Sequence, residues 1–145
     1  KLTIYCDTYN GSSKIGTKSV TITVRVPSTV VPTISSVTIT DNNSEQYTKM
    51  GGFVKGKSSL AVKISASGAY SSKISSYSTT GGGKTYSGSS FTVSSLTSAG
   101  TVSFKVTIKD SRGRTATTTK SITVLDYENP VISEVNVVRT NSEGT

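Results

Sequence analysis

The sequence predicts an all-β protein: an Ig-like or fibronectin type III-like Greek-key sandwich of about seven strands, set in a tandem array. Three observations predict it. Apolar and polar residues alternate in stretch after stretch, 27 Ser and 24 Thr make up roughly a third of the 145 residues, and two pieces of sequence recur about 100 residues apart. A period of two sends successive side chains to opposite faces of a strand, and no window shows the 3.6-residue period of an amphipathic helix.

The recurrence fixes the organisation. KSVTITV at 18–24 matches KSITV at 120–124, a shift of 102 (18 to 120) that also pairs Gly11 with Gly113, Cys6 with Ile108, Ile4 with Val106 and Leu2 with Phe104. PTISSVTI at 32–39 matches PVISEVNV at 130–137, a shift of 98 (32 to 130). The difference of four falls between Val26 and Pro32, where a linker absorbs it. Residues 1–26 are then the C-terminal strands of a preceding Ig-like unit, 27–32 a linker, 33–126 a complete domain, 127–130 a second linker and 131–145 the first strand of a following unit. Pro27, Pro32 and Pro130 fall at these boundaries, where proline ends strands and stiffens hinges. A lone two-stranded hairpin is marginal in water, so the partial units imply a piece of a longer array.

Within the central unit the strands follow in order. Val37 with Ile39 opens it, and Asp41, Asn42, Asn43 and Glu45 read as a polar loop. Leu60, Val62, Ile64 and Ala66 then alternate with Ala61, Lys63 and Ser65, giving one buried and one wet face. Ile74 near Tyr77, and Phe91 with Val93, mark weaker strands. Val102, Phe104, Val106 and Ile108 alternate with Ser103, Lys105, Thr107 and Lys109; Ile122 and Val124 close the unit, as Val20, Ile22, Val24 and Val26 close the partial one. The separators SASGAYSS, TTGGGKTYSG, SSLTSAG and DSRGR carry turn residues, with Gly113 expected in the left-handed conformation of a bulged turn. Leu96 to Phe104 has the spacing of the corner that leads into the sixth strand of fibronectin-like sandwiches. With Phe in place of the usual Tyr, packing alone would hold it.

Composition removes several functions. No apolar run approaches the roughly 18 residues of a membrane span. With no His, no Trp and a single Cys, neither a Cys/His zinc site nor a Ser-His or Cys-His pair can be assembled, so an enzyme and a cofactor are not expected. The net charge of +8 comes from 16 Lys and Arg scattered singly, not from the dense basic groove with stacking aromatics that tracks nucleic acid.

Four places could carry chemistry. Cys6 has core parity and reads as a buried, inert thiol. Tyr70, Lys73, Tyr77 and Tyr86, near Gly81, Gly82 and Gly83, are the candidate adhesive surface, because Tyr, Ser and Gly on a rigid scaffold make adaptable contacts with sugars or proteins; ordinary turns are the alternative. Arg112 and Arg114 could clamp a phosphate or carboxylate, the alternative being a solvated turn whose Asp110 caps its own backbone. Asp126, Glu128 and Asn129 could hold calcium at a unit junction; the other junction has no acid, and a plain hinge is the alternative.

The run DSRGRTATTTKSITVLDYENPVI at 110–132, with the recurring PxISxV, resembles the tandem Ig-like repeats of minor structural and tail-tip or tail-fibre proteins of phages that infect Gram-positive bacteria. The resemblance implies a non-enzymatic spacer or accessory adhesion module of the virion tail, made in the host cytoplasm, whose partners are other tail proteins. It carries over no catalytic or binding residue. Two readings stand beside the spacer: a module binding host cell-wall glycan or teichoic acid, and a repeat of a bacterial surface adhesin. Strand addition between half units is the route by which the chain would form a homo-oligomer.

Overall fold

The computed structural model describes residues 1–137, which form ten strands and one short helix. β1 (Leu2–Asn10) and β2 (Ser13–Ile22) make an antiparallel hairpin that is a sheet by itself. The other eight strands form two facing sheets. β3 (Thr33–Asp41), β5 (Leu60–Ser67) and β8 (Ser90–Val93) make one, in the order β3-β5-β8. The second has the order β4-β10-β9-β6-β7, from β4 (Phe53–Val54), β6 (Ile74–Gly81), β7 (Lys84–Ser87), β9 (Gly100–Asp110) and β10 (Thr115–Leu125). The chain changes sheet between β3 and β4, β4 and β5, β5 and β6, β7 and β8, and β8 and β9. That connectivity is an Ig-like Greek-key sandwich.

Alternation places the core where the period of two requires it. Leu60, Val62 and Ile64 from one sheet meet Phe104, Val106, Ile108, Ile122 and Val124 from the other, with Phe53, Val93 and Leu96 sealing the ends. Complete burial of each Val, Leu, Ile or Phe side chain contributes about 1.5–3 kcal/mol. Phe104 is fully buried, so the corner from Leu96 is indeed packed and not hydrogen-bonded through a side chain. The two-residue turn between β6 and β7 uses Gly82 and Gly83 at φ +57° and +76°, both positive as the type I′ hairpin demands. Gly113, at φ +82°, takes the expected left-handed conformation.

The structure departs from the sequence reading in four places. Residues 44–50 are not loop but α1 (Ser44–Met50), capped by Asn43, whose side chain accepts from the Gln46 N–H at 3.0 Å, and ended by Gly51 at φ +75°. Its polar start is what an N-terminus needs. β4 pairs parallel to the end of β10, an extra strand that covers the sheet edge. Cys6 is exposed, and so are Leu2, Ile4, Val20, Ile22 and Val24, because the β1–β2 hairpin has no second sheet over its apolar face. Residues 131–137, expected in a strand, form none and are exposed, with no neighbouring strand to supply ladder hydrogen bonds; residues 138–145, the remainder of that expected strand, lie outside the described residues.

Strand register also revises the recurrence. Leu2 faces Ile22 and Val102 faces Ile122, so the shifts of the two strands must sum to 200, as a shift of 100 on each does (2 to 102, 22 to 122). A shift of 102 on both would place residue 124 opposite Phe104; Lys120 is there instead. The polar face repeats at the same shift. Thr3 and Thr21 hydroxyls lie 3.0 Å apart and those of Ser103 and Ser121 lie 2.9 Å apart. Thr17 donates to Asp7 at 2.6 Å, and Thr107 and Thr117 hydroxyls meet at 3.2 Å.

Candidate functional site

One pole of the sandwich gathers four of the residues singled out above. The turn after β5 lies beside the β9–β10 hairpin tip: Ser111 donates its N–H to the Lys73 carbonyl at 2.8 Å. Tyr70, Lys73, Arg112 and Arg114 therefore share this end. Tyr77 and Tyr86 do not. Tyr77 is half-buried along β6, opposite Ile108, and Tyr86 stacks on Phe91 with ring centroids 4.6 Å apart and planes 10° from parallel. Both rings serve the sandwich.

Asp110 organises the tip from beneath. Asp110 as a residue is 1% exposed, and one carboxylate oxygen accepts the N–H groups of Arg112 and Arg114, each at 2.9 Å. Desolvation pushes its pKa up, but those two N–H bonds and the Arg112 charge outweigh it and hold the carboxyl below its ordinary value. Ser72, beside it, donates its hydroxyl to the Ala69 carbonyl at 2.8 Å. Both arginine forks are bonded to backbone carbonyls of the chain. Arg112 donates to the carbonyls of Ala69, at 2.8 Å, and Tyr70. Arg114 donates to those of Val30, at 2.7 Å, and Val26. Asp110 thus caps its own turn, as the plainer reading expected, and both guanidinium groups are committed within the chain.

Arg112 holds an unusual turn. Tyr70 and Ser71 have φ of +46° and +62°, a left-handed conformation that costs a bulky side chain strain, and the Tyr70 ring is 76% exposed.

The opposite pole holds the other candidate residues. Lys55 donates to Asp126 at 2.9 Å, and the Lys57 ammonium lies 5.3 Å from the Tyr127 ring centre. The bond from Lys55, together with its charge, lowers the Asp126 pKa and raises that of Lys55. Glu128 and Asn129 are exposed. A cation already occupies the Asp126 carboxylate, and among the described residues no three acidic, Cys or His side chains gather as metal ligands.

One feature escaped sequence reasoning. A cleft of about 270 Å³ opens where α1 meets β3 and β4, lined by Ile39, Thr40, Asp41, Ser44, Tyr47 and Phe53. Its aromatic wall is an edge-to-face pair, Tyr47 and Phe53, 4.9 Å between centroids. Asn43, Gln46 and Gly51 carry the capping signals that could have found α1 and hence the cleft.

The whole chain, residues 1–145, matches the model of a family described as "Siphovirus protein of unknown function (DUF859)". The chain belongs to this family. It is a siphovirus protein, in keeping with the phage resemblance of its hairpin and linker motifs. No curated protein matches it. Among solved structures it is similar to the PKD1 domain of the Vibrio cholerae metalloprotease PrtV, at 24% identity and a TM-score of 0.49, over 66% of this chain and 98% of that one. It is also similar to the PKD1 domain of Vibrio anguillarum Epp, at 21% identity and a TM-score of 0.48, over 65% of this chain and 93% of that one.

Proposed function

We propose that this siphovirus protein is a non-enzymatic structural component of the virion tail, a tip or fibre, in which Ig-like sandwiches in series act as spacers. The observation that carries this reading is the repeated hairpin. Polar cross-strand pairs stand at equivalent register 100 residues apart: Thr3 with Thr21 and Ser103 with Ser121, then Asp7 with Thr17 and Thr107 with Thr117. In the central domain the apolar side of that hairpin is covered by β3, β5 and β8; in the first copy it is bare. Residues 1–26 are on this reading the closing hairpin of a preceding unit, whose own three-stranded sheet covers Leu2, Ile4, Cys6, Val20 and Ile22. The chain leaves by the pole opposite to the one at which it joins the sandwich, so such units extend in series. Other tail proteins are its partners, and no cofactor is required.

Peptides of this chain should be found by mass spectrometry in purified, nuclease-treated virions, at a copy number matching other tail components. Their absence from virions, with the protein present in infected cells, overturns the reading.

A second reading is favoured by one observation. Tyr70, strained at φ +46° and 76% exposed at a pole, is a costly way to build an ordinary turn, and strain retained at an exposed aromatic fits a contact residue. With a net charge of +8 the module would bind host-wall glycan or teichoic acid, or serve as an adhesin repeat. Sedimentation of the purified chain with host walls at low salt, lost on Tyr70→Ala, supports it; failure to sediment removes it.

A further inference from the structure

We propose that the β9–β10 hairpin tip is a docking surface for the linker that precedes its own domain, with Arg114 as the clamp that fixes the angle at which a preceding unit meets the sandwich. The role in an array rests on the spacer reading, but the clamp itself is a property of this chain.

The linker is a shaped peptide, not a slack one. The Val30 N–H donates to the Pro27 carbonyl at 3.1 Å, closing a turn, and Pro32 is buried where the linker joins β3. That turn brings the carbonyls of Val26 and Val30 within reach of one guanidinium. Arg114 Nη1 donates to Val30 at 2.7 Å and Nη2 to Val26. The planar fork of arginine spans two acceptors at once, which an ammonium cannot do with the same geometry. Arg114 is partly buried, so water competes weakly for these bonds.

The clamp is anchored in the domain core. Arg114 donates its N–H to the buried Asp110 carboxylate at 2.9 Å, and its carbonyl accepts the Asp110 N–H at 2.8 Å. Val26 and Val30 lie 88 and 84 residues away in sequence, so the tie joins the start of the domain to its last hairpin. The far pole is held too, with Lys55 on Asp126 beyond β10. A sandwich that grips the chain on both sides passes orientation from one linker to the next, as a stiff spacer must. The first hairpin has Asn10, Gly11 and Ser12 at its tip and no arginine there, so a clamp of this kind is not a feature of every unit.

Trypsin offers a direct test, because Arg25 precedes the first gripped carbonyl. The intact 145-residue chain is digested under native conditions and cleavage after Arg25 followed by mass spectrometry. Arg114→Ala should accelerate that cleavage by about tenfold or more, as expected when local protection of roughly one or two hydrogen bonds is lost. Arg114→Lys keeps the charge, loses the fork and should also be faster than the parent. Arg112→Ala serves as the control and should leave the rate unchanged, since its bonds go to Ala69 and Tyr70. A melting curve for each variant separates local release from loss of the fold.

If Arg114→Ala keeps its melting transition and cleaves at the parental rate, the clamp is refuted. If Arg114→Ala unfolds, the lysine variant decides: folded and protected, it also refutes the clamp. As an independent readout, a nitroxide on Cys6 and a second on Ser98→Cys should give a narrower distance distribution in the parent than in Arg114→Ala; equal widths count against the proposal. None of these outcomes depends on whether the protein is found in virions.

Discussion

Gly81 ends β6 directly beneath the Phe104 ring. A β-carbon placed on Gly81 would lie 2.3 Å from Phe104 Cδ1, closer than any real contact, and Phe104 is fully buried with no room to withdraw. The glycine is required by space, not by φ.

Gly81→Ala should therefore destabilise the sandwich by about 1–3 kcal/mol through overpacking, lowering Tm by at least about 4 °C. Adding Phe104→Leu should return part of that loss, because the larger ring is what the methyl group strikes. A double-mutant cycle on thermal or urea unfolding measures the coupling. Additive effects would show that the two residues do not conflict.

Much of the architecture was legible because its cause is local. Leu60, Val62, Ile64, Phe104, Val106 and Ile108 keep strict alternation, and their strands are covered on one side only, so parity translates directly into burial. The same rule misplaced Cys6 and Val20, since parity says which face a residue takes and not whether another sheet lies over it. α1 was hidden because Tyr47 and Met50 are the two residues among its seven that are not plainly polar, too few to set up an apolar period, though Asn43 and Gly51 mark its ends. At the candidate site, Gly113 and the Asp110 turn followed from turn chemistry. The partners of Arg112 and Arg114 did not, because bonds spanning 42 to 88 residues leave no trace in spacing.

Asn43→Ala tests the hidden helix. It removes the acceptor for the Gln46 N–H and should cost about 1 kcal/mol. Asn43→Asp or Asn43→Ser, which keep a capping oxygen, should recover most of it. Chemical denaturation monitored by Tyr fluorescence reads both. If alanine costs nothing, α1 adds nothing to the stability of the fold.

Acid should weaken the domain in a way that Asp110 helps set. Its folded pKa lies below the unfolded value of about 3.9, so its contribution is complete above that value and is lost as pH falls through the folded pKa. Asp126, held down by Lys55, acts in the same direction. Melting temperature should be flat from neutral pH down to about 4.5 and then fall. Asp110→Asn keeps an acceptor for the Arg112 and Arg114 N–H groups but loses the titration. Its curve should start lower and fall less steeply; an unchanged slope would show that Asp110 is not a source of the acid lability.

Calcium should not stabilise the chain. The Asp126 carboxylate is paired with Lys55 at 2.9 Å, and among the described residues no three His, Cys, Asp or Glu side chains gather as metal ligands. Tm measured in millimolar calcium should equal that in chelator, whereas a site occupied only in the folded state would raise it with calcium concentration. A calcium-dependent rise abolished by Asp126→Asn would restore the junction as a metal site.

Tyr70 separates strain from contact. At φ +46° a tyrosine carries a backbone penalty that asparagine tolerates better, and with its ring 76% exposed little packing is lost on replacement. Tyr70→Asn should thus raise stability by about 0.5–1 kcal/mol, an unusual sign for replacing an aromatic residue. Arg112 still fixes the turn by its bonds to the Ala69 and Tyr70 carbonyls, which do not depend on the side chain at 70. Thermal melting of parent and variant gives the sign. If stability instead falls, the ring is packed against the pole and its strain is repaid inside the fold; if it rises while sedimentation with host walls is lost, the strain is kept for a contact outside it.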